Sequence, residues 1–264
     1  MLIAILNQST LVADADVVKM TEAIATQVQF DAAPIWDRAP AAVVFYTDPA
    51  AVPAAAHGIA IVDTIQNQPK GVLGFHTEDQ GAQLWGVVAA KPELDNGGQV
   101  LTGDWSVSST LSHEVLEMFV DPNCNLWAND GKGTAYSLEV CDPVEAPTYT
   151  VKGVSVSNFV TPSWFDPLAP ATAQFDKLGQ LTAAFSVLKG GYMVYESAGK
   201  EQQQFGDSFP NWRKEMKTGP LARTRRRLDQ AHYYGAQGPP TGPQAHYYGA
   251  QEPPTGPHQA HHGG

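Results

Sequence analysis

The chain has few of the features on which several protein classes depend. Its 264 residues include only two cysteines, Cys124 and Cys141, too few for a dense disulfide scaffold. No stretch approaches the roughly 18 apolar residues that a membrane-spanning helix needs. The apolar run at residues 1–6 has no basic segment before it, and we predict a first strand there rather than a signal peptide. We therefore expect no membrane association, and a location in the cytoplasm, or in a virion if a phage encodes the protein.

Basic residues are scarce until late in the chain. Seven of the 16 lysines and arginines lie in the segment Arg213–Arg227, which leaves residues 1–210 with a net charge of about −15. An acidic body argues against nucleic acid as its main ligand and is compatible with cation binding. The basic segment Arg213–Arg227 could bind nucleic acid or an acidic partner, or act as a solvated linker that balances the charge of the body.

Histidine is also rare, and His113 is one of three before residue 230. It belongs to the run S-H-E-V-L-E at residues 112–117. On a helix, His113 and Glu117 share a face because they are four residues apart, and Glu114 is turned from them by roughly 100°. His113 could simply pack in a core helix with Glu117 in solvent. The apolar neighbours and the two flanking carboxylates favour a metal site.

The run resembles the metal-binding helix of zincins, with a glutamate in place of the second histidine of H-E-x-x-H. The longer pattern, in which D-P, L-W and then E-x-C-D at residues 139–142 follow the helix, resembles a group of metallopeptidase-like proteins of actinobacteria and their phages. The plant Exordium-type proteins are loosely similar, although their cysteine order differs. The resemblance covers residues 100–145, and more loosely 1–200. It implies a gluzincin-type α+β fold, with a mixed sheet packed on the active-site helix and an irregular C-terminal half.

The same resemblance implies the metal ligands. His113 and Glu117 would supply two, and gluzincins take the third from a glutamate a few tens of residues further on. Glu139 fits that spacing and ranks first, Asp142 ranks second and Asp121 third. Asp121 could share the helix face, but three ligands along a straight helix spread over about 12 Å, too far to surround one ion.

Glu114 is then the candidate general base, which would take a proton from a metal-bound water and pass it to the leaving nitrogen. Tyr136, Tyr149 or Tyr192 could donate to the developing oxyanion. Zinc is the expected cofactor. One histidine with two carboxylates is a harder ligand set than two histidines with one carboxylate, so manganese, iron or calcium would compete more strongly.

Three smaller features leave alternatives open. Cys124 and Cys141 could form a disulfide, remain as buried thiols, or supply a zinc ligand. His76 could line the cleft, but a partly buried histidine with satisfied hydrogen bonds is the simpler interpretation. The strand predicted at Leu84–Ala90 is the candidate edge strand, which would hold a peptide by strand addition.

The chain divides by composition. We predict a zincin-like metal-binding domain at residues 1–200, a basic extension at 201–230, and disordered Tyr/Gly/Pro-rich tandem repeats at 231–264. Within the domain we expect strands near Leu2–Leu6, Ala41–Tyr46, Gly58–Val62, Gly71–His76 and Leu84–Ala90. A helix should run from Asp14 or Asp16 to about Val28, and another from near Trp105–Ser109 to Asp121.

Two functions of different classes fit these features. The first is a metal-dependent hydrolase, most simply a peptidase acting on peptide or protein substrates. The second is a non-catalytic structural or virion-associated protein, in which a vestigial metal site remains and the basic segment and repeats assemble with other virion proteins. The glutamate at position 117 and the tandem repeats favour the second function. The histidine and the adjacent Glu114 favour the first.

Overall fold

The structure is a computed structural model that describes residues 1–65, 71–78 and 84–213. Within those ranges the chain combines helices with several separate sheets, which confirms the α+β class. Residues 214–227 of the basic segment and the repeats at 231–264 lie outside the described residues. No helix in the described ranges is both long enough and apolar enough to cross a membrane.

The N-terminal half is built on a five-stranded mixed sheet with the order β2-β1-β3-β5-β4. The first four strands in that order are parallel, and β4 runs antiparallel to β5. The inner residues of β1 and β3 are buried, as expected for parallel strands covered on both faces, whereas β2, at one end of the sheet, is partly exposed. The strands are β1 (Leu2–Asn7), β2 (Ala42–Tyr46), β3 (His57–Val62), β4 (Gly74–Glu78) and β5 (Leu84–Ala89).

The predicted edge strand is wrong. The run at Leu84–Ala90 forms β5, which pairs with β3 on one side and with β4 on the other, and β4 occupies the end of the sheet. The apolar character of the run reflects this interior position. Among the described strands, the shorter Gly74–Glu78, which contains His76, is the edge strand on this side of the sheet, and β2 is the edge strand on the other.

The two predicted helices are present, and short helices that the sequence did not predict accompany them. Helix α1 (Asp14–Gln27) continues through a π-helical turn at Val28–Ala32 into the short α2 (Ala33–Ile35), and α3 (Ala90–Asp95) follows β5. Helix α4 (Val107–Val120) carries the H-E-x-x-E motif.

Helix α4 has well-defined ends. The Ser106 hydroxyl accepts a hydrogen bond from the Ser109 amide, and the Ser109 hydroxyl accepts one from the Ser106 amide, which forms a capping box. The helix ends before Asp121-Pro122, as the proline predicts. Every residue of α4 is buried, and the helix packs on β3, β4 and β5, on α1 and on the later strand Val154–Ser157. Charged side chains on such a helix need partners, because an isolated buried charge is costly.

The C-terminal half contains two antiparallel sheets. One has the order β11-β10-β7-β6, and the other is the hairpin of β8 and β9. The predicted domain boundary after residue 200 falls within the β10–β11 hairpin, and Arg213 is 2% exposed, so the folded body reaches at least Arg213. The strands are β6 (Trp127–Asn129), β7 (Thr134–Ser137), β8 (Thr148–Val151), β9 (Val154–Ser157), β10 (Tyr192–Ser197) and β11 (Lys200–Phe205).

Candidate metal centre

Three predicted ligands converge in the interior. His113 Nε2 on α4 lies 3.3 Å from Glu117 Oε1 and 3.1 Å from Asp142 Oδ1. All three side chains are buried, and their ligand atoms lie within 4.8 Å of one another. Metal–ligand bonds of about 2.1 Å place the ligand atoms of a tetrahedral site about 3.4 Å apart. The observed spacings match that value, so these groups are close enough to hold a metal ion.

The segment after β7 brings Asp142 to the helix. The Cys141 amide donates a hydrogen bond to Glu117 Oε1 at 3.1 Å, and the Val140 carbonyl accepts one from the Val160 amide. A 3₁₀ turn begins at Asp142 immediately afterwards. Because Glu117 accepts from this backbone, its carboxylate is held in place by the segment that supplies Asp142, as outer hydrogen bonds orient ligands in known metal sites.

Glu139 and His76 form a second group with the same Glu117. Their ligand atoms also lie within 4.8 Å of one another, and all three side chains are buried. Glu139, ranked first from spacing, is thus grouped with His76 and Glu117, whereas Asp142 is the carboxylate grouped with His113. His76 is the residue that sequence reasoning undervalued. The only signal was its rarity, since its strand neighbours carry no metal-binding pattern.

Glu114 lies beside both groups without belonging to either. Its Oε2 is 3.5 Å from His76 Nδ1 and, although buried, forms no hydrogen bond with the described part of the chain. Its side chain packs on the edge strand, where a Cβ atom at Gly74 would come within 2.6 Å of Glu114 Oε1. The absence of a side chain at Gly74 is therefore what allows Glu114 to lie there.

Burial and mutual proximity shift the proton affinities of these groups. Burial opposes a charge on His113, but the Glu117 and Asp142 carboxylates outweigh it and raise the pKa of the imidazole well above its usual value. Burial, followed by the neighbouring Glu117, raises the pKa of Asp142 to about 7. Burial acts to raise the pKa of Glu117, but His113 outweighs it and lowers that pKa. The cluster thus takes up positive charge, which a proton or a cation can supply.

The other predicted ligands have different roles. The Asp121 carboxylate accepts hydrogen bonds from the Asn125 and Leu126 amides, so it organises the turn after α4. Cys124 and Cys141 are buried and not joined to each other, so the disulfide alternative is wrong. The Cys124 thiol donates to the His76 carbonyl at 3.2 Å and so supports β4.

A cavity of about 280 Å³, which includes space open to solvent, reaches the cluster. His113 and Glu114 form part of its wall, and Tyr192 is the candidate oxyanion donor that lines it. The other two candidates are engaged elsewhere: the Tyr149 hydroxyl donates to Asp31, and the Tyr136 ring stacks on an aromatic neighbour. Burial, followed by Asp142 and Glu145, raises the pKa of Tyr192 well above its usual value, so its hydroxyl keeps its proton.

Arg213 closes another side of this cavity. Its guanidinium pairs with Glu145, donates to the Gly71 carbonyl and lies over the rings of Trp105 and Phe209. The first residue of the predicted basic segment is therefore buried in the cavity wall. Residues 214–227, the rest of that segment, lie outside the described residues.

Comparisons of the chain with protein-family models, with curated proteins and with solved structures found no match. The assignment of the centre therefore rests on its own geometry: two histidines and four carboxylates gathered around α4, next to a cavity.

Proposed function

We propose that the protein is a metal-dependent hydrolase that cleaves peptide bonds. One observation carries the proposal: Glu114 lines the same cavity as His113 but belongs to neither ligand group. A carboxylate that is adjacent to a metal ligand but is not itself a ligand is the arrangement that general-base catalysis beside a metal needs.

His113, Glu117 and Asp142 would hold the ion, with zinc as the first candidate and manganese, iron or calcium as competitors. The ion would polarise the substrate carbonyl and lower the pKa of water. Glu114 takes a proton from the attacking water and passes it to the leaving nitrogen. Tyr192, which keeps its proton, donates a hydrogen bond to the developing oxyanion.

The position of β4 favours a peptide as the substrate. This strand ends the sheet, contributes Gly74 to the cavity wall and packs on α4. An extended peptide that pairs with such an edge would pass beside Glu114. A mixed sheet with an antiparallel edge strand next to the metal-bearing helix supports our proposal of a zincin-like fold.

Glu114→Gln tests the mechanism. The amide keeps the shape of the side chain but accepts no proton, so we expect turnover to fall by at least about 100-fold while bound zinc stays unchanged. The substrate would be a peptide library derived from a whole proteome, with new termini identified by mass spectrometry. Glu22→Gln, at an exposed position on α1, is the matched control and should cleave like the wild type.

Equal cleavage by Glu114→Gln and the wild type would contradict the mechanism. Bound zinc with no cleavage by the wild type would instead favour the second function, a structural or virion-associated protein with a non-catalytic site. The resulting peptides would also define which side chains the cavity accepts.

A further inference from the structure

We propose that the cluster binds a second divalent cation, held by His76, Glu117 and Glu139, with Glu117 bridging it to the cation at His113. The inference deepens the proposed function, because it concerns the same centre. It would make the site a two-metal centre, in which a pair of ions about 3.5–4 Å apart stabilises both the attacking and the leaving groups.

The geometry of the two ligand groups supports a bridge. In each group one histidine nitrogen and two carboxylate oxygens lie within 4.8 Å of one another, and Glu117 is the only residue common to both. A carboxylate has two oxygens and can bind one ion with each. The Cys141 amide holds the Glu117 carboxylate through Oε1, the oxygen that lies 3.3 Å from His113 Nε2.

The His76 ring is oriented as a metal ligand is. Its Nε2 lies 3.1 Å from the carbonyl oxygen of Asp121, and a carbonyl can only accept, so Nε2 carries the hydrogen. Nδ1, which lies 3.5 Å from Glu114 Oε2, is then the ring atom that would bind a cation in place of a proton. Histidine ligands usually donate the other N–H to a carbonyl or carboxylate in this way, which fixes the tautomer.

The Glu114 carboxylate is an independent sign of a missing positive charge. Glu114 is 4% exposed. Its Oε2 lies 3.5 Å from His76 Nδ1 and forms no hydrogen bond with the described part of the chain. A bare Nδ1 lone pair facing that carboxylate would be unfavourable, so positive charge belongs at Nδ1: a proton in the metal-free protein, or a cation bound together with Glu117 and Glu139.

The charge balance of the cluster also favours two ions. Four carboxylates, those of Glu114, Glu117, Glu139 and Asp142, are buried around only two imidazoles. The nearby Arg213 does not offset them, since it pairs with Glu145. With all four carboxylates ionised, two protonated imidazoles leave an excess of negative charge, whereas two divalent cations would balance it.

Zinc stoichiometry tests the inference. Metal-depleted protein would be titrated with Zn²⁺ by calorimetry, and zinc would be counted by elemental analysis after desalting. We expect two ions per wild-type chain and one in His76→Gln and in Glu139→Gln. His57→Gln, a half-buried histidine on β3, is the control and should keep two. Loading with Mn²⁺ should give the electron paramagnetic resonance signal of a coupled pair in the wild type and of isolated ions in the variants.

One ion in the wild type, unchanged by His76→Gln and Glu139→Gln, would overturn the second site. If that protein still cleaves peptides in a Glu114-dependent way, the proposed function stands without this inference. Two ions with no cleavage would support the second site and contradict the hydrolase. The two variants remove different ligands, so a folding failure in one leaves the test to the other.

Discussion

His113 Nε2 and Asp142 Oδ1 lie 3.1 Å apart, although one residue is on α4 and the other opens a 3₁₀ turn in the C-terminal half. The contact joins the two halves of the molecule at the centre of the cluster. It also places Asp142, rather than the higher-ranked Glu139, beside His113 and Glu117. Folding of both halves therefore creates this ligand group, since neither half contains it alone.

Asp142→Asn should weaken zinc binding strongly. The amide replaces an anionic ligand with a neutral one in a buried site, and even changes outside the ligand shell cost 10–100-fold in affinity, so we expect a loss of roughly 100-fold or more. Competition with a chromophoric chelator measures this. Asp95→Asn, on the surface of α3, should leave affinity unchanged. Wild-type affinity in Asp142→Asn would remove this residue from the ligand set.

Gly74→Ala should displace the Glu114 carboxylate from its position and so reduce cleavage. The new methyl group would lie 2.6 Å from Glu114 Oε1 and 3.0 Å from the Val87 carbonyl, so the carboxylate must move. We expect peptide cleavage to fall by at least about 100-fold, as for loss of a general base, with zinc retained. In Gly58→Ala the nearest atoms, on Trp85, are 3.4 Å away, so this control should keep its activity. Unchanged cleavage in Gly74→Ala would show that Glu114 needs no such space.

Glu93→Gln should change the pH dependence of stability. Burial raises the pKa of Glu93 from 4.5 to about 8, while its hydrogen bond from Thr110 acts in the opposite direction. The folded protein therefore holds a proton that the unfolded chain releases above its own pKa. The stability that this bound proton contributes is fully present below about pH 4.5 and is lost as pH rises to about 8. Over that range the free energy of unfolding falls by up to roughly 1.4 kcal/mol per pH unit.

Urea denaturation of the wild type and Glu93→Gln at a series of pH values isolates that term. The glutamine stays neutral, so the variant should become the more stable protein as pH approaches 8. Glu22→Gln, exposed on α1, should follow the wild type throughout. If the free energy of unfolding changes with pH in the same way for Glu93→Gln and the wild type, the pKa of Glu93 is not raised.

Asp176→Ala should destabilise the C-terminal half. The Asp176 carboxylate is fully buried and accepts hydrogen bonds from the Asn158 side chain and from the Gln180 and Leu181 amides. Removal leaves several buried donors unpaired, so we expect the free energy of unfolding to fall by roughly 3 kcal/mol or more. Thermal denaturation measures the change. Asp166→Ala, at an exposed position, should lower the free energy of unfolding by much less than Asp176→Ala does. Equal losses in the two variants would contradict the role of Asp176.

Local sequence signals predicted much of the N-terminal half. The apolar runs placed β1, β2 and β3, and Asp121-Pro122 predicted the end of α4, whereas its start was predicted only approximately, near Trp105–Ser109. Strand order was harder to predict. The apolar run of β5 indicates burial, but it does not show which strands pair with it on either side. The antiparallel return of β4 on that side made the predicted edge strand an interior one.

The centre was predictable only as far as it is local. His113, Glu114 and Glu117 follow from helical periodicity, because the geometry of one helix fixes their relation. His76 joins the cluster through the pairing of β4 with β5 and the packing of β4 on α4, neither of which the sequence encodes by spacing. Which carboxylate lies beside His113, Glu139 or Asp142, likewise depends on how the segment 139–142 passes α4.

Zinc analysis of metal-depleted and reloaded protein tests the central claim most directly. Wild-type protein and the His113→Ala and His57→Ala variants would be loaded with Zn²⁺, desalted and assayed for bound zinc, with circular dichroism to confirm folding. We predict at least one tightly bound ion in the wild type and in His57→Ala, and loss of the ion at Glu117 and Asp142 in folded His113→Ala. Wild-type protein that holds no more zinc than His113→Ala would show that the cluster is an ion-pair network of imidazolium and carboxylates, and would contradict the metal centre.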